Sequence, residues 1–97
     1  MILKSVNVIG LGYIGLPTAA LLAEAGYSVI GTDVDERVVN AINCGSAHIY
    51  EPGLNDAVST AVASGKLKAT MRPQKSDVYI ICVPTPIKET TPIPIPD

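Results

Sequence analysis

An α/β fold with a largely parallel sheet and helices on both faces is predicted by three observations on the 97 residues. Runs of β-rich composition alternate with segments of helical apolar periodicity. A glycine-rich turn joins the first such run to the first helix. The late run "DVYIICV" (Asp77 to Val83) carries six consecutive apolar residues, as a strand covered by helices on both sides does.

The elements follow in order. "LKSVNVIG" (Leu3 to Gly10) reads as the first strand, ending at a glycine. Beyond Gly12, the spacing of Ile14, Thr18, Leu21, Leu22 and Ala25 predicts one apolar helix face, with Gly26 as the stop. "YSVIGTD" (Tyr27 to Asp33) returns as a strand. "DERVVNAINCG" predicts a helix capped by Asp35, with Val38, Ala41 and Ile42 on one face and Gly45 at its end. In "EPGLNDAVSTAVASG", Pro52 suits the first helical position, and Leu54, Ala57, Val58, Ala61 and Val62 share a face. "KLKAT" reads as a weak or edge strand, and "DVYIICV" closes the order. No internal repeat is present. Five of the eight prolines fall in the last 14 residues, where they block ladder bonding. The packed domain is therefore expected over residues 1–88, with 89–97 a proline-rich tail or linker.

Composition narrows the function. A chain of this length makes one small domain with a thin core. Hydrophobic residues at 47% and charged residues at 16% are those of a globular chain. A net charge of -2 without a basic block gives no footprint for nucleic acid. The aromatics, four tyrosines, are scattered and not interleaved with Lys or Arg. The first residues lack the length and cleavage site of a signal peptide, and no run reaches the roughly 18 apolar residues of a membrane span. Two cysteines, Cys44 and Cys82, make no disulfide framework. These points together lead us to expect a reducing, cytoplasmic setting.

The stretch "GLGYIGLP" (Gly10 to Pro17) carries the chemistry. G-x-G-x-x-G alone is a weak signal, but here it follows a predicted strand and opens a predicted helix. In that setting each glycine has its own role. Gly10 permits the tight turn, Gly12 lets backbone approach a pyrophosphate, and Gly15 lets the helix pack closely on the strand. The free N–H groups around Tyr13 and Ile14 then face an anion, helped by the helix dipole. Asp33 lies 18 residues after Gly15 and closes the second strand. Its carboxylate can accept the hydroxyls of an adenosine ribose and would repel a 2′-phosphate, which favours NAD over NADP. Arg37 keeps the other reading open, because a nearby arginine accommodates that phosphate. A plain β–α turn with Asp33 as a helix cap explains less of the pattern. The expected fold is thus the first half of a Rossmann-type dinucleotide-binding domain.

From Val6 to about Lys88 the chain resembles the UDP-glucose/GDP-mannose dehydrogenase family. "VIGLGYIGLPTAALLAEAGYSVIGTDVD", "IYEPGL", "GKLKAT" and "VPTP" come in the order that family shows. Within it, "GLGYIGLPTAA" is most similar to the branch acting on UDP-N-acetyl-D-mannosamine, and the likeness blurs at "ETTPIPIPD". The resemblance implies an NAD-dependent oxidation of a UDP-sugar alcohol to a carboxylate in two hydride transfers. It implies NAD contacts at the backbone of Tyr13 and Ile14, at the Asp33 carboxylate, and at Thr85 of "VPTP". It further implies a cysteine nucleophile assisted by lysine and acidic groups, in a later part of the family's chain. Neither Cys44 nor Cys82 matches it, so no catalytic residue is assigned and these 97 residues alone are expected to be inactive.

Other candidates have plainer readings. Cys44 and His48 have ligand-like spacing, but one pair cannot fill a tetrahedral zinc site; they read as a structural thiol and a loop histidine, and no metal is expected. Glu51 reads as favourable charge at a helix N-terminus. Gly31, inside a strand, either permits the close approach of backbone or a ligand or is a plain weak point. "TPIPIP" lacks the anchors of a groove ligand. A rival to the enzyme reading is a nucleotide-binding or assembly module without catalysis. An open apolar edge at Val78 to Val83 leads us to expect self-association of the isolated chain. A homo-oligomer is expected, separately, for the longer protein.

Overall fold

The structure, a computed structural model, describes residues 5–82. The elements run β1 (Ser5–Ile9), α1 (Gly15–Glu24), β2 (Ser28–Thr32), α2 (Glu36–Asn43), α3 (Leu54–Ala63), β3 (Leu67–Thr70) and β4 (Val78–Ile81). The four strands form one sheet in the order β3-β2-β1-β4, and every pairing is parallel. The expected α/β class and parallel sheet are both present, and β3 is the edge strand that "KLKAT" suggested. The proline-rich tail, Val83 and Thr85 lie outside the described residues.

Alternation along the strands sorts the two faces of the sheet. Val6 and Val8 of β1, Val29 of β2, and Leu67 and Ala69 of β3 join one buried cluster with residues of all three helices. Val38, Val39 and Ile42 come from α2, and Leu54, Val58 and Ala61 from α3. The α2 face therefore shifts from expectation: Val39 is buried, and Ala41 only partly so.

The expected face of α1 needs a larger correction. Ile14 and Leu21 are 69% and 67% exposed, Ala25 is exposed, and Thr18 and Leu22 are only half-buried. The buried face is instead Leu16, Ala19, Ala20 and Ala23, beginning at Gly15. Side-chain size is the reason. A helix packed closely against both the sheet and α3 takes mostly small residues at its contacts, with Leu16 the one larger buried side chain, and turns Ile14 and Leu21 outward.

Each helix ends alike. Gly26, Gly45 and Gly65 have φ of 106°, 85° and 81°. Their N–H groups bond back to Ala23, Ile42 and Val62, while those of Tyr27, Ser46 and Lys66 reach Leu22, Ala41 and Ala61, the paired bonds of a Schellman motif. Starts differ more. Asp35 caps α2 by accepting from the Arg37 N–H at 2.9 Å, as expected. At α3 the cap is Gly53, at φ 81° with no side-chain bond. Pro52 thus precedes the cap and is not the first helical residue.

The opposite face of the sheet is built differently. Asn7, fully buried, donates to the Ile30 carbonyl and the Thr32 hydroxyl, both at 2.9 Å. It accepts from the Gln74 N–H at 2.7 Å, which ties the β3–β4 connection across the sheet. On this side Tyr79 and Ile81 of β4 are 49% and 68% exposed. The expectation that β4 is covered on both faces therefore fails among the described residues, because the helices described all pack on the other side.

Candidate functional site

The loop between β1 and α1 leaves its amides open. Gly10 donates to the Thr32 carbonyl at 2.8 Å, extending the ladder beyond β1. The next bonded helical amides are those of Leu16 to Gly12 and Thr18 to Ile14, at 3.1 and 3.2 Å. Among the described residues, nothing accepts from the N–H groups of Gly12, Tyr13, Ile14 or Gly15. The α1 N-terminus has no side-chain cap and no acidic residue in its first turn, whereas α2 has Glu36 and α3 has Asp56 there. A row of free donors at the positive end of a helix dipole is an anion site in waiting.

Gly10 and Gly15 turn and pack as their spacing predicts. Gly10 turns the chain at φ 98°, a conformation L side chains resist. A Cβ on Gly15 would lie 1.6 Å from the Gly10 carbonyl oxygen and 3.3 Å from the Cβ of Cys82. Contact with the strand end thus excludes any side chain there. A Cβ on Gly12 would meet nothing within 4 Å. No protein packing demands that glycine, and the open space lies beside the free amides.

Asp33 is tied to the same loop. One carboxylate oxygen accepts the Leu11 N–H at 3.0 Å and the other accepts the Asp35 N–H at 2.9 Å. A carboxylate offers about four lone-pair sites, so one on each oxygen remains for a ligand hydroxyl. Asp33 therefore does not cap α2. It ties the glycine loop to the end of β2.

Arg37 is not brought to that carboxylate. Its guanidinium folds back on Asp35 at 3.2 Å, and Arg37 is 91% exposed. The Arg37 hydrogen bond holds the Asp35 carboxyl below its ordinary range, and Asp35 in turn raises Arg37.

Two features escaped sequence reasoning. Gly31 makes room for a protein side chain: a Cβ there would lie 2.8 Å from a methyl of Leu11, which is fully buried. His48, read as a loop histidine, bonds the Leu11 carbonyl through Nε2. No local pattern announces a bond across 37 positions of sequence. Cys44 is exposed and Cys82 half-buried, both as free thiols. No group of three or more potential metal ligands occurs among the described residues, and no described helix is long and apolar enough to cross a membrane.

Residues 4–95 match the NAD-binding domain of the UDP-glucose/GDP-mannose dehydrogenase family. The chain belongs to that family. A UDP-N-acetyl-D-mannosamine dehydrogenase from Campylobacter jejuni is 54% identical over 85 residues, 88% of this chain and 21% of its own length. An NDP-N-acetyl-D-galactosaminuronic acid dehydrogenase from Ralstonia nicotianae is 48% identical, over 86% of this chain and 20% of its own. A solved UDP-N-acetyl-mannosamine dehydrogenase from S. aureus superposes with a TM-score of 0.85 at 42% identity, covering 89% of this chain and 21% of that one. The chain thus spans about a fifth of the length of the relatives it matches. The cofactor of this family domain is NAD. The residues present suit it: free amides adjoin open space at Gly12, and the Asp33 carboxylate keeps a lone-pair site on each oxygen.

Proposed function

We propose that the chain is the NAD-binding portion of a nucleotide-sugar 6-dehydrogenase that oxidises a UDP-sugar to its uronate, with UDP-N-acetylmannosamine the first candidate. The observation that carries the reading is the juxtaposition at the β1–α1 turn. Four consecutive amides without an acceptor among the described residues adjoin the space at Gly12, and the Asp33 carboxylate is held beside them by Leu11. In this reading Gly10, Gly12 and Gly15 shape the cradle, Tyr13 and Ile14 present amides to the diphosphate, and Asp33 takes the ribose. Thr85 is assigned to the cofactor through its motif. Arg37, paired with Asp35, stays at the rim of the adenosine site, and without a free cation there NAD is preferred to NADP. Bound NAD supplies the hydride acceptor. Oxidation of an alcohol to a carboxylate releases four electrons as two hydrides, so two NAD are consumed per sugar and water provides the second oxygen. Identity to the mannosamine enzymes and a shared family support the substrate class. The cytoplasmic setting and a homo-oligomeric longer protein are parts of the same proposal.

Separate titrations with NAD and NADP test the cofactor, repeated with Asp33→Ala. We expect NAD to bind more tightly and the substitution to weaken it by about 1.5–3 kcal/mol, the worth of hydrogen bonds to a charged acceptor. Equal affinity for both nucleotides would remove the ribose role of Asp33. The 97 residues alone should show no turnover of a UDP-sugar, and measurable NADH production from one would overturn that part.

A further inference from the structure

We propose that His48 is a positioning residue of the dinucleotide site, holding the glycine loop by a hydrogen bond to the Leu11 carbonyl. A carbonyl oxygen can only accept, so Nε2 must carry the proton and donate it. Leu11 lies between Gly10 and Gly12 and is fixed in three ways. Its N–H is held by Asp33 at 3.0 Å, its carbonyl by His48, and its fully buried side chain by the space that Gly31 leaves. The free amides begin at the very next residue. With both peptide groups of Leu11 pinned, the plane of the Gly12 amide is set before any ligand arrives.

His48 itself stands on a firm base. Its neighbour Ala47 donates its N–H to the Asn55 side chain at 2.9 Å, in the first turn of α3. Ala47 and Ile49, on either side, pack against the core. The segment between α2 and α3 therefore grips the loop from one side while Asp33 grips it from the other. Donors held in place before binding add affinity because the ligand need not order them. The effect on NAD rests on the functional reading above, whereas the hydrogen bond itself does not.

Two measurements on the chain are decisive. Nitrogen-15 spectra of the histidine ring should show the Nε2–H tautomer, with that proton slow to exchange and coupled to the Leu11 carbonyl carbon. An Nδ1–H tautomer, or a freely exchanging ring proton, overturns the proposal whether or not NAD binds. NAD titrations should then show His48→Leu raising the Kd about 3- to 10-fold, the range expected of one net hydrogen bond. His48→Gln, whose amide can reach the carbonyl from the same distance, should recover most of that loss, and a purely space-filling role would favour Leu equally. If the unsubstituted chain binds NAD and His48→Leu binds it as well, the positioning role is wrong and the dinucleotide reading stands. If the unsubstituted chain does not bind NAD, the dinucleotide reading falls and takes this role with it.

Discussion

At the scale of single residues, the three loop glycines separate packing from binding. Alanine is favoured over glycine within a helix by about 1 kcal/mol, so Gly15→Ala would stabilise α1 if space allowed. The Cβ would sit 1.6 Å from the Gly10 carbonyl oxygen, and forcing α1 off the strand costs about 1–3 kcal/mol or more. The clash wins. Gly15→Ala should lower the melting temperature, while Gly12→Ala, which meets no protein atom, should leave it nearly unchanged and weaken NAD about tenfold or more. Thermal denaturation paired with calorimetric titration checks both, and a Gly12→Ala chain that bound NAD normally would place the diphosphate elsewhere. The turn at Gly10, the close packing at Gly15 and the place of Asp33 at the end of β2 were legible in the sequence because they depend on local spacing after a strand. The second duty of Asp33, accepting from Leu11, was not, since it needs the two strand ends side by side. The role of His48 and the neighbour that Gly31 admits were illegible for the same reason: the partner of both is Leu11, distant in the chain and apolar, with nothing in its type to mark it.

At the scale of elements, α1 shows how a periodicity can be right and its face wrong. The spacing of Ile14, Leu21 and Leu22 is helical, yet the core takes the side of Leu16 and the alanines, because the glycine motif that starts the helix also draws it close to β1. The size of the residue at each contact then decides what fits. Ala19, fully buried, should tolerate Ala19→Leu poorly, losing about 1–3 kcal/mol to overpacking. Leu21, 67% exposed, should accept Leu21→Gln within about 0.5 kcal/mol. Denaturant unfolding of the two variants measures the difference, and the reverse order would restore the face read from the sequence. The start of α2 carries a pH signature. Asp35 titrates below its ordinary range, chiefly through its hydrogen bond with Arg37, so its contribution is present above the unfolded value and is lost as pH falls through the lowered one. Protection of the amide at position 37, relative to its intrinsic exchange rate, should therefore fall in acid, and Arg37→Ala should move that loss to higher pH. The edge of β3 is guarded by a device that propensity cannot reveal: the Asn43 side chain donates to the Ala69 carbonyl at 2.9 Å and accepts its N–H at 2.8 Å, standing in for a neighbouring strand.

At the scale of the whole molecule, the two faces of the sheet are unequal, and that inequality sets how the chain behaves in solution. The helical face closes a single core that runs from Val6 to Ala69. The other face relies on Asn7, Thr32 and Thr70, whose side chains are joined by bonds of 2.9 and 3.1 Å, and on the Gln74 amide that crosses above them. Such a polar seam fixes the connection in place but buries little apolar area. Beside it, β4 ends the sheet among the described residues with Tyr79 and Ile81 turned outward. The succession of strands and helices along the chain was legible from the alternation of patterns. This imbalance was not, because six apolar residues in a row read alike whether the second cover is present or missing. An apolar edge strand pairs readily with another chain, so the 97 residues should self-associate as concentration rises. Ile81→Lys, which puts a charge on the open face away from the core cluster, should shift the chain towards monomer without changing its fold. Sedimentation velocity over a range of concentrations measures this. A chain that stays monomeric at high concentration before the substitution would mean that the outward face of β4 is covered.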